Sequence, residues 1–220
     1  MGVVFIIFVY QYYRSSTFTC SSFMDINNMS KSVKLVGPIM GIDPSLTGFA
    51  IYVTNIVGEP DYEVTFSTKA VKNLADRVKR VRYLADNAAQ IAEKYSPALC
   101  LIEGYAYGGK GRAGLSLAEL GMLTRDRVID KVGALVEIPP TVLKKFVTGK
   151  GNSNKIAVST ALTMRFQRTF KSDDQADAFG LAQLGRVTLK VLEADTKFQR
   201  ESAKLVKELI ENEIGGELNQ

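Results

Sequence analysis

Four acidic residues stand out by where they fall in the chain. Asp43 closes the apolar run 39–42 and precedes the turn Pro44-Ser45-Leu46-Thr47-Gly48; Glu103 closes the apolar run 98–102 and precedes a glycine-rich stretch. Asp174 and Asp177 lie three apart in SDDQADAFG, which in a helix puts both carboxylates on one face. An all-oxygen donor set of this kind suits a hard cation such as Mg2+ or Mn2+. Two such ions side by side can clamp the attacking and leaving oxygens of an in-line phosphodiester displacement. Each residue taken singly has a plainer explanation. An Asp after a strand is often a turn former, and a Glu at a strand end is often a solvated edge charge. Ser172 with Gln175 fits a capping box, and Asp173, Asp174 and Asp177 suit the positive end of a helix dipole. Their joint position at the ends of core elements, beside a basic segment, favours a common site.

Composition narrows the chemistry further. The 220 residues include no His, which excludes Ser-His-Asp and Cys-His nucleophile systems and any His-ligated zinc. The two cysteines, Cys20 and Cys100, sit in unrelated contexts, as free thiols of a reducing, cytoplasmic compartment would. Net charge is +5, and it is unevenly spread. Residues 104–171 carry twelve Lys/Arg against four Asp/Glu, whereas residues 186–220 carry six against seven. A basic middle suits a polyanion, nucleic acid first. On charge alone, a solvated basic surface without a partner is an equal reading.

These groups need a scaffold, and the hydrophobic pattern supplies an α/β one. Short apolar or alternating runs at 39–42, 49–53, 62–68, 98–102 and 134–138 predict five strands. Leu74, Val78, Val81, Ala85, Ala88 and Ala92 recur at helical spacing, and helices are also expected at 115–129, after Pro139-Pro140, and at 153–166 and 174–184. Three successive strands followed by alternating helix and strand predict a mixed five-stranded sheet flanked by helices. Residues 186–213 read as an amphipathic helical extension with Phe198, Leu205, Val206, Leu209 and Ile210 on one side. The chain thus divides into a dispensable or disordered leader (1–34), a catalytic domain (35–185) and a C-terminal extension (186–220). The leader's apolar run VVFIIFVY is far short of the ~20 residues that span a bilayer, and no positive segment precedes it as in a signal peptide. A membrane anchor there is the weaker alternative.

The motifs resemble those of RuvC-type Holliday-junction resolvases, which have an RNase H-like core. IMGIDPSLTGFAI resembles the family's opening strand and LCLIEG its second acidic strand. VLKKFVTGKGNSNKIAV resembles the segment that carries two lysines about a VTG-like turn, and SDDQADAFGLAQ the closing D-x-x-D-A helix. All four occur in family order. The resemblance implies metal-ligand roles for Asp43, Glu103, Asp174 and Asp177, with two Mg2+ or Mn2+ ions per site. It implies catalytic lysines at Lys144 and Lys155, with Lys145 able to exchange with Lys144 in the alignment. Lone surface lysines would otherwise be read as solubilising. A dimer joined through the helix at 115–129, acting on four-way or other branched DNA, is implied too, with no membrane involved. Tyr105, Tyr107, Lys110, Arg112, Lys145 and Lys150 are the candidate DNA contacts.

The sequence departs from the pattern at four points. Ser45 stands where the family often has Gly. Ala106 occupies the offset of a stacking aromatic, flanked by Tyr105 and Tyr107. The loop 108–114 is unusually basic and glycine-rich, and the tail after Leu184 has no counterpart in the short bacterial enzymes. The compact domain, the extra tail and the divergent loop suit a bacteriophage enzyme, with an organellar or bacterial source as the alternative. Two other readings compete with the nuclease. An actin-like or sugar-kinase-type ATPase fragment rests on GIDPSLTG alone. A non-catalytic junction-binding relative would keep the fold, but intact carboxylates argue against it.

Overall fold

The computed structural model describes residues 32–105 and 112–218, so most of the expected leader, with Tyr107 and Lys110, lies outside the described residues. The strands are β1 (Ser32–Val33), β2 (Ile39–Asp43), β3 (Phe49–Thr54), β4 (Tyr62–Phe66), β5 (Leu99–Glu103), β6 (Leu135–Ile138) and β7 (Glu217–Leu218). The helices are α1 (Leu74–Tyr95), α2 (Arg112–Val128), α3 (Pro140–Thr148), α4 (Lys155–Phe166), α5 (Asp173–Thr188) and α6 (Lys197–Ile214). Five strands form one mixed sheet in the order β4-β3-β2-β5-β6. The β2–β3–β4 meander is antiparallel, whereas β5 and β6 add parallel to β2. This is the expected RNase H-like arrangement, with element ends within a few residues of the hydrophobic pattern.

The period-2 alternation of strands divides the core between the two faces of the sheet. Met40, Ile42, Cys100 and Ile102 pack with Val81, Leu84 and Ala88 of α1 and Leu120 of α2. Leu99 and Leu101 face the other way, onto Ala178, Leu181 and Ala182 of α5. Gly41 is what lets α5 lie so close to β2, because a Cβ there would overlap the Ala178 carbonyl. The close seating brings the N-terminal turn of α5 over the C-terminal ends of β2 and β5.

The C-terminal segment differs from its sequence reading in two ways. It is not one continuous helix from residue 186: α5 runs on to Thr188, and a new helix begins only at Lys197, capped by Thr196 accepting from the Gln199 amide. Lys190 takes a positive φ of 55° in the break. The buried stripe of α6 is Gln199, Ser202, Val206 and Ile210, while Leu205 is exposed. Nor is the segment an appendage. Val206, Ile210 and Leu218 share the core on the α5 side of the sheet, and β7 pairs in parallel with β1. Burying Val206 and Ile210 contributes roughly 2 kcal/mol each. Ser32 and Val33, expected in the leader, are therefore part of the fold.

Candidate nuclease centre

Asp43 is the last residue of β2 and, although a carboxylate, is only 5% exposed. Glu103 is the last residue of β5, one strand over. The parallel pairing of β2 and β5 sets Ile42 beside Ile102, and so sends both acids out at the same sheet edge. They hydrogen-bond to each other. On the third side stands α5, started by the cap read from the sequence: Ser172 Oγ accepts from the Gln175 amide at 3.2 Å. Gln175 Oε1 reaches back to the Lys171 amide at 2.7 Å. That cap fixes the first turn, from which Asp174 and Asp177 reach the site. The turn after Asp43 wraps against this helix so closely that a Cβ at Gly48 would overlap the Asp174 carboxylate.

The electrostatics join six of the sequence-predicted residues. Burial raises the Asp43 carboxyl well above the ordinary carboxylate range, and the charges of Glu103, Asp177 and Asp174 add to it. Burial also raises Glu103, against the pull of its Asp43 hydrogen bond and of Lys155 and Lys144. Asp177 is pushed up to about 7, first by burial and then by Glu103, with Lys155 opposing. Partial burial works against the charge on Lys155, but Asp174, Asp177, Asp43 and Asp173 outweigh it and raise its ammonium above the ordinary lysine value. Asp43, Glu103, Asp174, Asp177, Lys144 and Lys155 thus share one field. Asp173, read from the sequence as helix-start chemistry, adds its charge at the margin.

The remaining candidates fall elsewhere. Lys145 pairs with Glu201 of α6 at 2.8 Å, and that hydrogen bond lowers the Glu201 carboxyl. The adjacent lysines are thereby separated: Lys144 acts on Glu103, and Lys145 is held by the C-terminal helix. Lys150 is exposed in the turn between α3 and α4. Arg112 is the first residue of α2. Tyr105 is engaged with α2, its hydroxyl donating to the Ala118 carbonyl at 3.2 Å. Sequence reasoning missed Arg80, whose guanidinium donates to the Leu46 carbonyl and to Thr68 Oγ1, each at 2.6 Å. It pins the turn that follows Asp43. No local signal marks it, since it reads as one more charge on the polar face of α1.

A model of the family described as crossover junction endodeoxyribonuclease RuvC matches residues 39–185. The chain belongs to the RuvC family. It is 25% identical over 146 residues to the crossover junction endodeoxyribonuclease RuvC of Cytophaga hutchinsonii, covering 66% of this chain and 73% of that protein. It is 23% identical over 148 residues to the RuvC of Salinibacter ruber, covering 66% and 82%. Thermus thermophilus RuvC solved in complex with a Holliday junction substrate superposes with a TM-score of 0.55 at 14% identity, covering 67% of this chain and 91% of that one. At that identity the superposition speaks for the fold. Helix α6 lies beyond the residues that the family model matches.

A hard divalent cation fits the chemistry of this donor set, in which every side chain offers oxygen and the buried carboxyls lack enough positive charge. Among the described residues, no three acidic side chains stand close enough together to grip an ion as they are. Asp43 and Glu103 would have to exchange their mutual hydrogen bond for the cation. The stability consequence has a definite sign. Asp177 has its folded-state pKa raised from 3.8 to about 7. The stability that goes with its protonated form is therefore complete below 3.8 and lost as pH rises through about 7. The metal-free protein is accordingly expected to melt lower at pH 8 than at pH 5. Asp177→Asn should recover on the order of 2 kcal/mol at pH 8 and flatten that dependence. Calorimetric melts at the two pH values check this, and a variant that is less stable than wild type at pH 8 would contradict the site's excess of negative charge.

Proposed function

We propose that the chain is a metal-dependent endonuclease that resolves four-way DNA junctions by phosphodiester hydrolysis. The observation that carries the reading is the convergence of Asp43, Glu103, Asp174 and Asp177 with Lys144 and Lys155 in a chain of the RuvC family. The relatives it matches are crossover junction endodeoxyribonucleases, and a neighbouring fold was solved on a Holliday junction. Asp43, Glu103, Asp174 and Asp177 would hold Mg2+ or Mn2+, in a pair of ions. The metal supplies an activated water and a counter-charge to the phosphate. The chain's own residues do the rest. Strand ends and a capped helix turn fix the carboxylates, burial keeps Asp43 short of solvent, and Lys144 and Lys155 offset charge gathering on the phosphate. The local excess of Lys and Arg between residues 104 and 171 would take up backbone phosphates. Among the described residues no helix is long and apolar enough to cross a membrane.

Symmetric nicking of a junction needs two such centres, and α2 supplies a face for a second copy. Leu115 and Met122 of α2, with Ile129 in the 3-10 turn just past its end, recur every seven residues and are 68%, 64% and 55% exposed. The opposite side of α2 packs on α1. The test is a labelled four-way junction incubated with the full chain, with and without Mg2+. Paired nicks that require the metal are expected, made by a species that sediments as a dimer. Met122→Glu should yield monomers that still bind metal but lose paired nicking. Metal-independent cleavage, or metal-dependent ATP hydrolysis in its place, would overturn the reading.

A further inference from the structure

We propose that Arg125 is a positioning residue for the nuclease centre: its guanidinium fixes the backbone where β5 ends, and with it the directions of Glu103 and Tyr105. The inference rests on the nuclease reading above, and it concerns a residue that neither motif nor metal chemistry singles out.

Arg125 lies on α2, on the face of the sheet opposite the carboxylates. Along β5, Cys100 and Ile102 face α1 and α2, while Leu99 and Leu101 face α5. Glu103 continues the second set, so its carboxylate points toward α5 and its neighbours Asp43, Asp174 and Asp177. Arg125 comes from behind. Its Nη2 donates to the Glu103 main-chain carbonyl at 3.2 Å and pairs with Glu137 Oε2 of the adjoining strand at 2.7 Å. Its Nη1 reaches the Tyr105 hydroxyl at 3.4 Å, and the guanidinium carbon stands 4.7 Å from the centroid of the Tyr105 ring. One side chain thereby ties β5, β6, α2 and the first residues of the loop that follows Glu103. It touches the backbone of Glu103 and leaves the carboxylate to the metal.

The packing shows that this arrangement is imposed. The Arg125 side chain is only 14% exposed, and its Nε is buried with no hydrogen-bond partner among the described residues. A buried donor left unmade is unfavourable. The contacts at the other two nitrogens and at the ring are what hold the side chain there. Gly121, one turn earlier on α2, leaves the room: a Cβ on it would come within 2.8 Å of Arg125 Nη1 and of the Tyr105 ring. Arginine's planar fork can serve a carbonyl, a carboxylate and an aromatic face at once, which a lysine's single ammonium cannot. The strand end that presents Glu103 is therefore held from behind by a group that contacts its main-chain carbonyl.

Arg125→Lys in the full chain is the test, because it keeps charge and bulk but loses the fork. Mn2+ affinity is measured by calorimetry without DNA, and single-turnover junction cleavage and junction affinity are measured separately. Groups that orient metal ligands typically carry ~10–100-fold in metal affinity or activity, and a loss in that range is expected in both Mn2+ binding and cleavage rate. Junction affinity should stay near that of wild type. Should the lysine variant fail to fold, Glu137→Gln removes the anchoring charge at constant shape and should move Mn2+ binding and rate in the same direction by a smaller factor. Unchanged Mn2+ affinity in a folded variant would overturn the inference, as would a cleavage defect that merely tracks weaker junction binding. A wild-type chain that binds Mn2+ but cuts no junction would refute the nuclease reading alone, leaving the effect of Arg125 on metal affinity to be read directly.

Discussion

Asp43→Asn is expected to bind a four-way junction at least as tightly as wild type and to cleave it more than ~100-fold more slowly, since even groups that merely support a metal ligand are worth ~10–100-fold. Asp43 lies at the bottom of the site, 5% exposed and hydrogen-bonded to Glu103. The substitution keeps the shape and removes one negative charge. The basic surface proposed to meet backbone phosphates is untouched, and the loss of a carboxylate near the phosphate favours binding. The same change should stabilise the metal-free protein, because it removes the group that burial and three neighbouring acids most disfavour in its charged form. A variant that is more stable, binds well and does not cut is the signature of a residue kept for chemistry. Single-turnover cleavage on a labelled junction, beside a binding titration in Ca2+, measures both halves. Near-normal turnover would remove Asp43 from the metal site.

Much of this site was legible in the sequence, for a physical reason. A strand that ends in a lone acid after four apolar residues displays the end of a core element, and an i, i+3 acid pair displays a helix face. Asp43, Glu103, Asp174 and Asp177 are local patterns of this kind, and so is the Ser172 cap. Arg80 and Arg125 are not. Each looks like ordinary charge on an amphipathic helix, and its meaning lies in carbonyls 34 and 22 residues away. The tail shows the same limit. Its amphipathic pattern announced a helix, but pattern cannot say which surface that helix meets. Here it is the core itself, with Val206 and Ile210 fully buried. The break between α5 and α6 was missed because apolar residues continue through it, while Thr196 and Asp195 rebuild the helix start. Asp195 pairs with Arg165 of α4, and Gln199 accepts from Arg165 at 2.7 Å. Helix α6 is thus tied to both helices that carry the site's lysines.

That attachment favours Lys144 over Lys145, two adjacent lysines that sequence alone left interchangeable. Lys144→Ala should slow cleavage by about 100-fold or more, the scale for removing one group that meets charge only as it develops in the transition state. It should change junction affinity far less, because the loss appears on the way to the pentacoordinate phosphate. Lys145→Ala should do little to the rate. Its partner is Glu201 in a half-exposed ion pair, and such pairs contribute about 0–1 kcal/mol to stability. The contrast comes from helix geometry. Neighbours in a helix point about 100° apart, so α3 can send Lys144 toward Glu103 and Lys145 toward α6. Junction binding of the Lys145 variant should remain close to wild type at moderate salt, since the Glu201 pair already claims that charge. The measurement is the ratio of single-turnover rate to binding constant for the two variants side by side. Equal losses in rate and affinity from both would make them members of one undifferentiated basic patch, and a rate defect in Lys145→Ala alone would reverse the assignment that Glu201 supports.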